Sequence, residues 1–191
     1  MMEFEKKMLL TKEEYDRLCR CINKPLEAFW QKNTYYDTDD LKLNRLGITC
    51  RIREKAGVYK ATIKAHQSKD VDCSIENSVY VNDKYDDVLF KNMGAQYQGD
   101  MKTYRTVLWR DNDIEVVLDK NYYLGWIDYE LEIEYKSGKV FLAEALLFYY
   151  TSLIHSDKKT DKFRTMERKK QESKSSRFLK YKKYLESKKH E

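Results

Sequence analysis

The sequence predicts an α+β protein built on an eight-stranded antiparallel β-barrel, a tunnel with a polar lumen and with helices packed on its outside. Three observations lead to this fold. About eight extended segments follow one another along the 191 residues, separated by turn signals. Nearly every segment alternates apolar with charged residues, and acids are concentrated on the first and last segments, bases on the middle ones. Separate amphipathic helices are available to cover an apolar outer surface.

The first half of the chain begins with a strand from about Met2 to Leu10. A capping box at Thr11 then opens a helix with an apolar stripe at i, i+3, i+4 and i+7, which ends at Pro25. Ala56-Gly57 joins two later strands as a hairpin. Beyond the first helix, the pattern predicts strands over residues 28–38, 48–55, 58–66 and 72–81, and a short helix over residues 83–93.

The second half contains three long strands, predicted over residues 96–109, 114–122 and 127–135. A mostly buried helix follows over residues 140–154; it contains Glu144 and is too short to span a bilayer. Residues 157–191 are typical of one or two basic helices. We therefore expect a single domain over residues 1–191, with the barrel and its helices in 1–156 and a basic helical segment in 157–191.

The charged strand faces allow two interpretations. For any one strand, the simpler one places the charged face in solvent and the apolar face in the core. Solvated faces usually mix signs, however, whereas here the signs are segregated by strand. Taken together, the strands favour a closed barrel with its charges turned inward and its apolar side beneath the helices.

The most informative segment is Glu3-Phe4-Glu5-Lys6-Lys7. On a strand, Glu3, Glu5 and Lys7 project from one face, with about 7 Å between successive members. Two carboxylates so placed repel each other unless a cation lies between them. Carboxylate oxygens are the ligands that hard divalent metals prefer, so the segment suits Mg²⁺ or Mn²⁺. A solvated strand face would show the same pattern, and its weight depends on the strands that follow.

The predicted lumen holds as many basic as acidic side chains. The bases are Lys7, Arg51, Arg53, Lys60, Lys64 and Arg105, and the acids are Glu3, Glu5, Asp119, Glu130, Glu132 and Glu134. One or two divalent ions held by the acids would make the lumen net positive. Since arginine binds phosphate bidentately and lysine binds it as a point charge, the expected guest is a polyanion such as a triphosphate.

In this order and spacing, the motifs resemble the CYTH superfamily, also called triphosphate tunnel metalloenzymes, and in particular a bacterial branch of it. The resemblance covers about residues 2–155. The matching segments are Glu3-x-Glu5-x-Lys7, Tyr35-Tyr36-Asp37-Thr38, Arg51-Ile52-Arg53-Glu54, Thr62-Ile63-Lys64, Arg105, Leu118-Asp119 and the alternating glutamates from Glu130 to Glu134.

The resemblance implies a triphosphate bound end-on with a divalent metal, Mg²⁺ or Mn²⁺. It implies metal ligation by Glu3, Glu5 and two of the three late glutamates; Glu130 with Glu132 is preferred, and Glu132 with Glu134 stays open. Phosphate would be held by Arg51, Arg53, Lys64 and Arg105, with Lys7 facing the scissile phosphate. The lumen residues Lys60 and Asp119 complete the expected substrate-binding set. The residues expected to be catalytic are Glu5, Lys7 and Arg53.

The function expected from this resemblance is a metal-dependent triphosphatase acting on inorganic, thiamine or nucleoside triphosphate. Family members hydrolyse such compounds or RNA 5′-triphosphates, and another branch converts ATP to cyclic AMP. A class IV-type adenylate cyclase is thus an alternative, which Thr103 disfavours because the cyclase branch has a lysine there. An alternative of another class is a module that binds triphosphate or polyphosphate without turnover.

Charge and cysteine content indicate the cellular compartment and the possible partners. Four cysteines without zinc-site spacing, and a charged N-terminus without a signal peptide, predict a cytoplasmic protein with no membrane partner. A monomer and a homodimer both stay open. After residue 156 there are 14 Lys and Arg against 6 Asp and Glu. These basic helices either pack on the barrel through Phe178, Tyr181 and Leu185 or form a phosphate-contacting plug or weak nucleic-acid patch. Nucleic acid is the less favoured partner.

Overall fold

The computed structural model describes residues 2–22, 24–67, 73–155 and 172–189. Its eight strands form one closed antiparallel barrel in the order β1-β5-β4-β3-β2-β6-β7-β8, which confirms the predicted fold. The strands are β1 (Met2–Leu10), β2 (Glu27–Asp37), β3 (Ile48–Lys55), β4 (Val58–His66), β5 (Cys73–Val81), β6 (Gln96–Arg110), β7 (Ile114–Tyr123) and β8 (Trp126–Tyr135). The helices are α1 (Lys12–Cys21), α2 (Lys42–Arg45), α3 (Val88–Lys91), α4 (Val140–His155) and α5 (Lys174–Lys188).

Local hydrogen bonds explain why α1 begins where it was predicted and why the helix predicted over residues 83–93 is shorter than expected. At α1 the predicted capping box is present, with both the Thr11 and Glu14 side chains bonded to backbone N–H groups. The helix predicted over residues 83–93 shrinks to α3. Ahead of it, the carboxylates of Asp83 and Asp86 accept hydrogen bonds from the backbone N–H of Tyr85 and Asn82, which competes with helix formation.

One other helix departs from the sequence prediction, and one agrees with it. The short helix α2 was not predicted; the Asp37 carboxylate organises it by accepting hydrogen bonds from the backbone of Leu43 and Asn44. Of the basic helices expected over residues 157–191, α5 is described, whereas residues 156–171 lie outside the described part of the chain. Within the described ranges, the helices are all too short or too polar to cross a bilayer.

The apolar side of the barrel wall faces outward. Helices α1 and α4 cover strands β1, β7 and β8, where Leu18, Leu118 and Ile133 are fully buried in one apolar cluster. A second cluster lies under α2 and α3, around Ile52 and Phe90. The hydrophobic core is therefore placed between the wall and the helices, and the alternate residues of each strand are left to line the lumen.

Helix α5 differs from the other helices because it enters one end of the barrel. The ring of Phe178 is fully buried against Tyr35, Met101 and Tyr123, three residues of the inward face. Gly99 makes room for it: a Cβ at this position would lie 2.6 Å from the Phe178 ring. Helix α5 therefore fills one end of the barrel and packs there through Phe178 and Tyr181, as one interpretation of the C-terminal segment expected; phosphate contact by this segment stays a prediction.

Candidate functional site

A cavity of about 330 Å³ lies inside the barrel, between α5 and the opposite mouth. That volume is in the range of small-molecule sites. Its two sides carry opposite charge. The side formed by β3 and β4, called here the basic wall, presents Arg51, Arg53, Lys55, Lys60 and Lys64; the side formed by β1 and β8, the acidic wall, presents Glu3, Glu5, Glu132 and Glu134.

Most residues predicted for the site line this cavity. The predicted residues that do so are Glu3, Glu5, Lys7, Arg51, Arg53, Lys60, Lys64, Arg105, Glu132 and Glu134. Asp119 and Glu130 lie behind the lining and are fully buried. Lys60 is exposed at the mouth. The alternation of the strands is thus enough to gather the predicted residues around one space.

Strand register divides the late glutamates between two depths. In the ladder of β1 with β8, Glu134 lies opposite Glu5, whereas Glu130 lies opposite Leu9. The exposed fraction of the side chains falls from 31% at Glu134 to 9% at Glu132 and zero at Glu130. We call Glu3, Glu5 and Glu134 the outer carboxylates, and Asp119, Glu130 and Glu132 the inner carboxylates.

Two of the outer carboxylates, Glu3 and Glu5, are paired with lysines, whereas Glu134 lies 3.7 Å from Arg105. The ammonium of Lys64 lies 2.7 Å from Glu3 Oε2 and 2.9 Å from Glu5 Oε2, and that of Lys7 lies 2.5 Å from Glu5 Oε1. Burial opposes the ionisation of Glu5, but Lys7 and Lys64 outweigh it and hold the pKa of Glu5 at about 2. Glu134 is less well compensated: burial, with the negative charges of Glu3 and Glu132, raises its pKa to about 7 in spite of Arg105.

The inner carboxylates are matched by cations of the protein itself. Lys174 of α5 places its Nζ 3.0 Å from Asp119, 2.9 Å from Glu130 and 2.6 Å from Glu132. Arg105 is 2.7 Å from both Asp119 and Glu132. Burial alone would raise the pKa of Glu132, but Lys174 and Arg105 hold it well below its usual range. Arg105, expected to hold phosphate, is therefore already engaged by carboxylates.

The basic wall holds guanidinium groups with little compensation. Arg53 Nε donates a hydrogen bond to Asn33 Oδ1 at 3.0 Å, and within the described ranges Arg53 has no carboxylate partner. Burial and the charges of Arg51 and Arg105 lower the pKa of Arg53 to about 10. Arg51 reaches Glu76 at 3.5 Å, and its buried Nε has no hydrogen-bond partner among the described residues. Such groups indicate a place for an anion, because a buried charge is costly unless it is paired.

Sequence reasoning missed three contributors to the site. Lys174 and Arg177 enter from α5, where a Ser173 N-cap and the spacing of the basic residues ahead of Phe178 were available signals of a helix with one buried face. Glu76 faces the cavity from β5, as the alternation of that strand with Ser74 and Ser78 would have indicated.

A divalent metal can be tested against these side chains. Within the described ranges, no three His, Cys, Asp or Glu side chains converge as a metal site in their present positions. The oxygens of Glu3 and Glu5 nevertheless already converge on one cation, the Lys64 ammonium. Carboxylate oxygens are the donors that Mg²⁺ and Mn²⁺ prefer. Glu3 and Glu5 therefore fit a hard divalent ion, which would replace the Lys64 ammonium.

Comparison with known proteins agrees with this architecture. A protein of Bacillus subtilis (strain 168), YjbK, provisionally named a triphosphatase, is 31% identical over 147 residues, covering 70% of this chain and 77% of YjbK. Among solved structures, a Bacillus halodurans protein provisionally named an adenylate cyclase superposes with a TM-score of 0.64 at 23% identity, over 93% of this chain and 97% of its own.

A second solved structure is HpAC1 of Hippeastrum, provisionally named an adenylyl cyclase and described as having a dominant triphosphatase activity. It superposes with a TM-score of 0.61 at 14% identity, over 86% of this chain and 93% of its own. At these identities the two solved structures show the shared fold. The family model described as the CYTH domain matches residues 1–178. The chain belongs to the CYTH domain family.

Proposed function

We propose that this protein is a metal-dependent triphosphatase that hydrolyses a small triphosphate, inorganic, thiamine or nucleoside triphosphate, inside the barrel. The observation that carries the proposal is the under-compensated pair of guanidinium groups, Arg51 and Arg53, facing carboxylates across a closed-ended cavity. The descriptions of YjbK and HpAC1 support the same class of reaction.

The phosphate chain would lie along the basic wall. Arg51 and Arg53 would donate charge-assisted hydrogen bonds to its oxygens, and planar guanidinium groups match phosphate geometry in pairs. Because α5 closes one end of the barrel, the free end of the chain would enter first and any organic group would remain near the mouth. That mouth is lined by Phe29, Lys55 and Arg110.

The metal would be held by Glu3, Glu5 and Glu134, with Glu132 beside them. We prefer Glu134 to the Glu130 expected from the family resemblance, because Glu130 is fully buried and paired with Lys174 and Arg177. A bound divalent ion supplies Lewis-acid polarisation of the phosphoryl oxygens and neutralises part of their charge.

Charge transfers within the site follow from the same contacts. If Glu3 and Glu5 held a divalent ion, Lys64, which now contacts both carboxylates, would be free to contact the phosphates on the basic wall. Glu134, whose pKa is about 7, would have to be deprotonated to serve as a ligand. Arg53 would then stabilise the charge on the equatorial oxygens in the transition state.

The test is a substrate panel of inorganic triphosphate, thiamine triphosphate and ATP, each with Mg²⁺ or Mn²⁺. We expect orthophosphate release from at least one of them, abolished by a chelator. The Lys180→Ala variant is the control, because this exposed lysine pairs with Glu172 on the far side of α5. Cyclic AMP with pyrophosphate as products would identify a cyclase instead, and tight binding without any product would identify a binding module.

A further inference from the structure

The inner carboxylates form a buried cluster that can stay ionised only with a positive charge beside it. Asp119 and Glu130 are fully buried, and the side chain of Glu132 is 9% exposed. One oxygen of Glu130, Oε1, is buried with no hydrogen-bond partner among the described residues. Three carboxylates so close together repel one another strongly in a medium of low dielectric constant, so they keep their charge only with positive groups among them.

Lys174 occupies the centre of this cluster. Its ammonium lies within 3.0 Å of one oxygen from each inner carboxylate, so a single positive charge is shared by three acids. Arg105 donates to Asp119 Oδ1 and Glu132 Oε2, oxygens that Lys174 does not contact, whereas Arg177 donates to Glu130 Oε2, the oxygen that Lys174 also contacts. Carboxylate oxygens are the donors that a hard divalent ion prefers. In their present positions around the ammonium the three side chains do not form a metal site among the described residues, so they would have to close in once the lysine is removed.

The packing of helix α5 fixes the position of the Lys174 ammonium. Phe178 is seated against Gly99, and the hydroxyl groups of Ser175 and Thr49 are 2.8 Å apart. The helix begins at Lys174, with Ser173 as its N-cap, so the positive end of the helix dipole also points at the inner carboxylates. Lys174 is thus fixed in the cluster by packing one turn further along the helix, independently of the outer carboxylates.

We propose that Lys174 is a tethered cation that takes the place of a divalent metal ion at the inner carboxylates and so confines metal binding to the outer carboxylates. The single outer site rests on the function proposed above, whereas the role of Lys174 does not depend on it. The chain would then bind one divalent ion where the six inner and outer carboxylates could otherwise hold two.

The experiment is Mn²⁺ binding to the full-length protein, measured by calorimetry and by electron paramagnetic resonance of free Mn²⁺. We expect one ion per chain in the wild type and two in Lys174→Met, which keeps the length of the side chain and removes its charge. Lys180→Ala, on the exposed side of the same helix, should still bind one. Adding Glu130→Gln to Lys174→Met should abolish the gained site.

Two results would overturn the proposal. One is a Lys174→Met protein that binds no more Mn²⁺ than the wild type; the other is a gained site that survives Glu130→Gln. If Lys174→Met unfolds without metal, the proposal requires Mn²⁺ to restore its melting transition and to raise its Tm more than it raises that of the wild type; no restoration would contradict it. If the wild type binds no ion and Lys174→Met binds one, the outer metal site is wrong and the role of Lys174 stands.

Discussion

The outer and inner carboxylates consist of the same kinds of residue and share strand β8, yet they are neutralised in different ways. The outer set relies on Lys64 and Lys7, cavity-lining lysines that a ligand can draw away, and it leaves Glu134 with a pKa raised to about 7. The inner set is matched by Lys174, which packing holds in place. In the proposed scheme, the source of the counter-ion, more than the spacing of the acids, would decide which carboxylates remain available to a metal.

The largest expected effect comes from truncating Phe178, the side chain through which α5 packs into the barrel. It tests whether packing holds Lys174 at the inner carboxylates. Phe178→Ala empties a fully buried site between the helix and Gly99, and such a truncation costs about 3–5 kcal/mol in the free energy of unfolding. Chemical denaturation measures it. Tyr184→Ala, an exposed aromatic of the same helix, should change stability by less than about 0.5 kcal/mol. Equal effects of the two substitutions would show that α5 is not anchored through Phe178.

The second effect concerns the outer carboxylates. Glu5→Gln keeps the shape of the side chain but removes the charge shared by Lys7 and Lys64. We expect triphosphate hydrolysis to fall by about 10²–10³-fold, the range seen when one electrostatic contact to a transition state is lost, with the fold intact by circular dichroism. The matched control is Glu144→Gln. Glu144 lies on α4, is half exposed and pairs with Lys6 of β1. Near-wild-type turnover in Glu5→Gln would refute the assignment of Glu5.

The third effect tests the basic wall against the acidic wall. Arg53→Met should weaken the binding of inorganic triphosphate by roughly 10- to 100-fold, since a hydrogen bond to a charged group contributes about 1.5–3 kcal/mol. Because the Arg53 charge is uncompensated without an anion, the ligand-free protein should lose little stability. Calorimetric titration and thermal melting measure the two quantities. Arg45→Ala, an exposed arginine paired with Asp40, is the control.

If Arg53→Met destabilised the ligand-free protein strongly and left triphosphate affinity unchanged, the arginine would be a structural residue. That outcome would remove the main support for an anion on the basic wall, and the comparison of the two walls would lose its functional meaning.

The smallest effect is a pH dependence in the metal-free protein. The folded-state pKa of Glu134, about 7, lies above the ordinary value of 4.5, so the native state binds this proton more tightly than the unfolded state does. The contribution of Glu134 to stability is then present below about pH 4.5 and is lost as the pH rises through 7. Glu134→Gln should flatten this part of the profile. A wild-type profile identical to that of the variant would mean that Glu134 does not titrate there.

The barrel was predictable because its evidence is local. A strand has a period of two, so the placement of Arg51 and Arg53 on one face and of Ile52 on the other follows from the chain alone. Segregation of charge by strand then indicated that the shared face is the lumen. The helix predicted over residues 83–93 failed for an equally local reason, since the competing aspartate bonds of its first turn were not weighed.

The different depths of the three late glutamates could not be predicted from the sequence. Glu130, Glu132 and Glu134 have equal spacing and look alike along the chain; the ladder with β1 and the entry of α5 distinguish them. The contact of Phe178 with Gly99 joins residues about eighty positions apart, and no periodicity reports such a contact. Pairings between distant segments therefore limited what the sequence could say about the site.

The closed end of the barrel has a kinetic consequence. If α5 stays in place during turnover, reactant and both products pass through the same opening, and a spent phosphate must diffuse out before the next molecule goes in. Inhibition by the shorter phosphate products should then be competitive with substrate, and the departure step should slow turnover more as the leaving fragment becomes more highly charged.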